Sequence, residues 1–237
     1  MVTAMAYPWF SHWNYIALEA LFRLIHHSPN TDDWFGLLIT YPFLGTWFFA
    51  VVFYLLWARD DEQQSRRRTC LLRTVVAVGA AFLFTAVIRP WIGWPAPVLN
   101  PTFQPLFPRY LWGVGSRNCF PSHSTLAYFT VTMGLWPLKR GLSVLLSLLV
   151  LAFVSTPRVY LGGHYPIDVA FSCVLGLCAL ICVWRLPVPN RVSNWLIRRG
   201  TGTTVRDFLF FLWTFELGEG FRGAEFVSGA IHQLFRP

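Results

Sequence analysis

The stretch IDVAFSCVLGLCALICVW, residues 167–184, is apolar almost throughout, and it opens with a carboxylate, Asp168. It is close to the ~20 apolar residues that cross a bilayer as a helix. A second run, LLITYPFLGTWFFAVVFYLLW at residues 37–57, meets the same length. The composition agrees: 55% of residues are hydrophobic, 18% aromatic and 13% charged, with a mean hydropathy of +0.47. Soluble domains carry about 25% charged residues. The chain is therefore read as an all-α, polytopic membrane helical bundle.

Working outward, residues 13–28 show helical apolar spacing interrupted by Glu19, Arg23, His26 and His27. That pattern fits an amphipathic helix lying in the interface, the alternative being a further span. Spans are expected at residues 34–57, 70–88, 120–137, 142–154 and 167–184, which makes five, or six if residues 13–28 also cross. Residues 90–113 are rich in Pro and Trp, so they resist regular helix and suit the headgroup level. The expected organisation is an interfacial segment at 1–33, a transmembrane domain at 34–186 and a cytoplasmic or interfacial tail at 187–237. In that tail FLFFLWTF, residues 208–215, is too short to cross and is expected to lie on the surface.

No basic stretch precedes an apolar core at the N-terminus, so no cleaved signal peptide is expected. The five cysteines lie apart without metal-ligand spacing. The net charge of +8 is almost all arginine, Lys139 being the one lysine. These cations punctuate apolar runs and form no basic face, which excludes a nucleic-acid partner. Arg59, Arg66, Arg67, Arg68, Lys139, Arg140, Arg185 and Arg191 fall on one side of an alternating five-span arrangement, and the positive-inside rule makes that side cytoplasmic. The other side gathers Arg89, Arg109, Arg117, His123, Arg158, His164 and Asp168.

Those residues carry the chemistry. His164 and Asp168 lie one helical turn apart, so the carboxylate can fix the imidazole tautomer and leave its other nitrogen free as nucleophile or base. The same aspartate also suits a helix start. The segment NCFPSHSTLAYF, residues 118–129, reads as a helix start with Ser122 near the cap and His123 in the first turn, where free N–H groups favour an anion. Arg89 and Arg158 offer planar, permanently charged forks for phosphate.

The set IRP at 88–90, PSHS at 121–124 and PRVYLGGHYPID at 157–168 resembles the three-part signature of the type 2 phosphatidic acid phosphatase (PAP2) superfamily, membrane lipid phosphatase branch. The resemblance implies His164 as the nucleophile that becomes phosphohistidine, Asp168 as its orienting carboxylate and His123 as general acid. It implies phosphate contacts from Arg89, Arg158 and Ser122, with Arg109 or Arg117 as substitutes for a missing cation. It implies no metal or other cofactor. The expected partners are the bilayer and a lipid phosphate or diphosphate of the polyprenyl, phosphatidylglycerophosphate or phosphatidic acid type. The expected place is a bacterial cell membrane, with the site at the non-cytoplasmic face.

Three positions depart from the family pattern. Phe82 stands where the family has lysine. The spacer between Ser and His is absent in PSHS, which leaves His123 or Ser124 for the acid position. Pro157 replaces a serine before Arg158. Two other functions share these features: a phosphotransferase that passes the phosphoryl group to a lipid or sugar hydroxyl, and a non-catalytic lipid-binding membrane protein.

Overall fold

The computed structural model describes residues 8–40, 47–59, 62–89, 91–92, 94–112, 118–187, 205–210 and 212. Among these the chain is helical and holds no strand. In order they are α1 (Pro8–Leu24), α2 (Pro29–Thr40), α3 (Trp47–Ala58), α4 (Gln64–Ile88), α5 (His123–Met133), α6 (Arg140–Val150), α7 (Thr156–Tyr160) and α8 (Pro166–Arg185). A π turn, Leu151–Ser155, joins α6 to α7 in one continuous rod.

Among the described residues, three helices are long and apolar enough to cross a membrane: Gln64–Ile88, Arg140–Tyr160 and Pro166–Arg185. Only 33%, 44% and 28% of their most apolar windows are buried inside the protein. Leu83, Val87, Leu148 and Val174 are exposed on these helices, which is favourable in hydrocarbon and costly in water. The expected five or six spans do not all reach that length among the described residues. The run at 34–57 is carried by α2 and α3, and residues 41–46 between them lie outside the described set. Helix α5 has only 11 residues.

Helix α5 is the axis of the bundle. Every residue from Thr125 to Thr132 is buried, as expected of a helix packed on all sides. Its hydroxyls are bonded locally or to neighbours: Thr132 with Ser147 of α6 at 2.8 Å, and Thr125 with Ser155 of the π turn at 2.8 Å. Small polar residues of this kind hold helices together where no water competes. Gly176 of α8 lies against Thr130, and any side chain there would collide with that hydroxyl.

The arginines expected in a loop after span one have a second use. Helix α4 begins at Gln64, so Arg67 and Arg68 sit in its first turns, and both are buried. Arg67 donates to the carbonyls of Leu56 and Arg59, and Arg68 to that of Trp57 at 3.3 Å. Arg66 reaches the Pro137 carbonyl at 3.1 Å, and Arg73 the Leu186 carbonyl at 2.8 Å. The last carbonyls of a helix lack internal partners and carry negative partial charge. The basic cluster thus joins three chain ends at one end of the bundle.

The tail is tied to the same end. Within 208–215, Phe210 is buried in the main core, stacked 3.9 Å from the Trp57 ring, and Asp207 accepts the Trp57 indole N–H at 2.9 Å. The described part of the tail packs one face on the bundle through Phe210, while Val205, Phe208, Leu209 and Leu212 are exposed.

Candidate active site

The site sits at the end of the bundle opposite the arginine cluster, where α4 ends, α5 and α8 begin, and the rod of α6 and α7 closes. Span four was expected to stop at residue 154, but the rod continues to Tyr160. Pro157 lacks an N–H and its ring crowds the carbonyl four residues earlier. The helix answers with the wider π turn just before it. Arg158 therefore lies on a helix, with its guanidinium bonded to the Val154 carbonyl at 2.8 Å. Its own carbonyl accepts the N–H groups of Gly163 at 2.8 Å and His164 at 3.2 Å. Gly162 permits this tight reversal with φ of +73°.

Asp168 lies in the first turn of α8, and its side chain is 0% exposed, against 19% for His164. Burial of a carboxylate is costly unless donors replace water, and three do. Trp94 Nε1 donates to Oδ1 at 3.1 Å, Tyr165 N–H to Oδ2 at 2.8 Å and Cys119 Sγ to Oδ2 at 3.3 Å. The Tyr165 bond is also the N-terminal cap of α8, so the helix-start reading of this aspartate is realised. Burial and the Asp168 charge push the Cys119 thiol up, which keeps it protonated as a donor. His164 Nδ1 stands 3.7 Å from Asp168 Oδ2, buried and without a hydrogen-bond partner.

His123 is the first residue of α5 and half-buried, with Arg89 and His164 as its neighbours. Phe82, at the position of the family lysine, packs its ring 5.5 Å from the His123 imidazole, edge to face. Arg89 is pinned by exchange with Asn118: its guanidinium donates to the Asn118 carbonyl at 2.9 Å, and the Asn118 amide donates back at 3.1 Å.

The structure therefore brings together His164, Asp168, His123 and Arg89, with Arg158 holding the turn beneath His164. Ser122 is the N-terminal flank of α5 but is fully buried, and its hydroxyl is engaged with Thr125 at 3.0 Å. Ser124 is half-buried. Arg109 is exposed, 6.0 Å from the Trp112 ring. Arg117 lies outside the described residues.

Sequence reasoning missed the support. The Pro/Trp segment was expected to be an irregular interfacial stretch. Its described residues hold no α-helix and three single 3₁₀ turns, Pro97–Leu99, Gln104–Leu106 and Arg109–Leu111. Trp94, Val98, Phe103 and Phe107 are buried with Phe120 and Tyr165 in a second core. Asn100 donates to the Tyr165 hydroxyl at 2.8 Å. Helix α1 joins that core through Leu18, and Asn14 accepts the Ile167 N–H at 3.2 Å. The N-terminal segment is thus a wall of the site end. The one available signal was position: Cys119 and Tyr165 flank motif residues.

A cavity of about 440 Å³ lies at the arginine end, lined by Arg59, Glu62, Arg67, Lys139 and apolar side chains. No histidine lines it, so it lacks the imidazole–carboxylate pairing found around Asp168.

The model of the PAP2 superfamily matches residues 70–191, just over half of the chain. The chain belongs to the PAP2 superfamily. All four clustered residues fall inside the match. Among curated proteins, the bacitracin transport permease protein BcrC of Bacillus licheniformis is 39% identical over 72 residues. That alignment covers 30% of this chain and 34% of BcrC, so the chain spans about a third of that relative's length. No solved structure matches.

Proposed function

We propose that this PAP2 chain is a membrane lipid phosphatase acting through a phosphohistidine at the non-cytoplasmic face. The single observation that supports it most is the buried His164–Asp168 pair, with a carboxylate anchored by three donors and His123 and Arg89 facing it. His164 Nδ1 stands 3.7 Å from Asp168 Oδ2; the carboxylate charge favours the ring proton on that nitrogen, which leaves the Nε2 lone pair free. Nε2 attacks phosphorus; the P–N bond forms as the P–O bond to the lipid breaks, and His123 protonates the departing oxygen. Arg89 offsets charge on the phosphoryl oxygens. Water then breaks the P–N bond, with His123 taking its proton. His123 rather than Ser124 fits the acid role, because it opens α5 beside Arg89.

A lipid substrate is supported by a lateral groove of about 250 Å³ between α1, the π turn and α8, lined by Leu21, Leu151, Val159 and Val169. It could keep an acyl or prenyl chain next to the turn that carries His164. The arginine cluster at the far end fits the cytoplasmic side.

The test is phosphate release by purified protein over a panel of lipid phosphates and diphosphates, with His164→Ala as control. The expected result is turnover of at least one lipid by the wild type and none by His164→Ala. Equal rates for both proteins would reject the mechanism. Phosphate appearing on an acceptor lipid instead of in solution would make the enzyme a phosphotransferase.

A further inference from the structure

Cys119, His164 and Asp168 place a sulfur, an imidazole nitrogen and a carboxylate oxygen within 4.8 Å of one another. Two of the three separations are known closely: Sγ to Oδ2 is 3.3 Å, and Nδ1 to Oδ2 is 3.7 Å. The second is too long for an N–H···O hydrogen bond, which spans about 2.7–3.2 Å. Nδ1 is also buried with no hydrogen-bond partner. Both separations lie within about 0.3 Å of the edges of a coordination tetrahedron, since metal bonds of about 2.3 Å to sulfur and about 2.1 Å to nitrogen or oxygen give edges of roughly 3.4–3.6 Å. One sulfur, one nitrogen and one oxygen suit Zn²⁺, whereas Mg²⁺ and Ca²⁺ take oxygen sets.

We propose that Cys119, His164 and Asp168 form a binding site for Zn²⁺ or a similar thiophilic divalent ion, and that the bound ion silences His164. Three protein ligands leave a fourth position for water. As the sulfur–metal bond forms, the thiol proton leaves to solvent. As Nδ1 gives its lone pair to the metal, the remaining ring proton resides on Nε2, which can no longer attack phosphorus. The ion also takes the carboxylate oxygen nearest the imidazole. Metal-free turnover and inhibition by metal are thus consequences of one set of atoms. The silencing half rests on His164 as nucleophile; the binding half does not.

The test uses the full chain in detergent micelles, stripped with a chelator and titrated with Co²⁺. Wild type should develop a thiolate-to-cobalt charge-transfer absorption that saturates at one equivalent and is displaced by Zn²⁺. Cys119→Ser, which keeps a small donor beside Asp168, should lack it, and His164→Asn should weaken it. In phosphate release, the Zn²⁺ concentration for half-inhibition should rise at least about tenfold in Cys119→Ser, each protein measured against its own metal-free rate. Absence of the band in wild type, or its persistence in Cys119→Ser, would overturn the site. Equal zinc sensitivity of the two proteins would overturn the silencing. A Cys119-dependent band in a protein that releases no phosphate from any lipid would uphold the site and reject the phosphatase reading.

Discussion

Asp168 is held at both oxygens, and this decides how His164 can be used. A carboxylate that accepts from an indole, a thiol and a backbone amide cannot rotate to follow the imidazole, so the imidazole must come to it. Trp94→Phe keeps the ring packing and removes one donor to a charged acceptor, worth about 1.5 kcal/mol or more. The expected outcome is a kcat lowered about tenfold with KM little changed, read from initial rates of phosphate release. His123→Ala should slow formation of the phosphoenzyme about 10²-fold or more, and most for poor leaving groups. Quenched-flow measurement over lipids with graded leaving groups checks this, and a Ser124→Ala protein with the same profile would move the acid role. At this scale the sequence showed the closeness of His164 and Asp168, because residues four apart near a helix start share one face. It did not show Trp94, since nothing in a chain of letters says that an indole 74 residues away donates to Asp168.

Among the elements, α4 is the one whose reading changed most. Its first turns carry the arginines that the sequence assigned to a loop, because a run of Arg next to an apolar segment looks the same whether it is solvated or caps a neighbouring helix. Arg67→Ala would take a charged donor from the carbonyls of Leu56 and Arg59, at a cost of about 1.5–3 kcal/mol. A fall in the thermal midpoint of the purified protein, with Arg67→Lys intermediate, is the expected result. Gly176→Val would force α8 away from Thr130 of α5, and overpacking of this kind costs about 1–3 kcal/mol. Helix α8 carries Asp168, so that variant should lose phosphate release along with stability. The apolar runs at 70–88 and 167–184 were legible because bilayer thickness sets a length that the sequence must meet. The π turn was not, although Pro157 was noted, because a proline announces a disturbance without saying which way the helix absorbs it.

For the whole molecule, the basic end and the reacting end are separated along the bundle, and the tail ties back to the basic end. Burial alone would raise the Asp207 carboxyl, but the Arg206 guanidinium and the Trp57 indole outweigh it and hold the group below its ordinary value of 3.8. A lowered folded value means that this contribution to tail docking is fully present above pH 3.8 and is lost as the pH falls through the lowered value. Hydrogen exchange of residues 205–210, corrected for intrinsic rates, should show protection falling in that window. In Asp207→Asn the acid dependence should disappear. The sequence left this tail on the surface because its apolar piece is too short to span, which is true and says nothing about packing.

By itself the sequence determined the class of molecule and placed His164 one helical turn from Asp168. Span length follows from the thickness of hydrocarbon, and the pairing of His164 with Asp168 follows from the pitch of a helix; both are local rules. Only the tertiary structure decided which donors hold Asp168, that Phe82 packs on His123 where a cation was expected, and that Cys119 completes a three-ligand cluster. These are contacts between residues far apart in the chain. Their partners are chosen by how α1, the 3₁₀ turns, α5 and α8 pack against one another, and no local pattern encodes that choice.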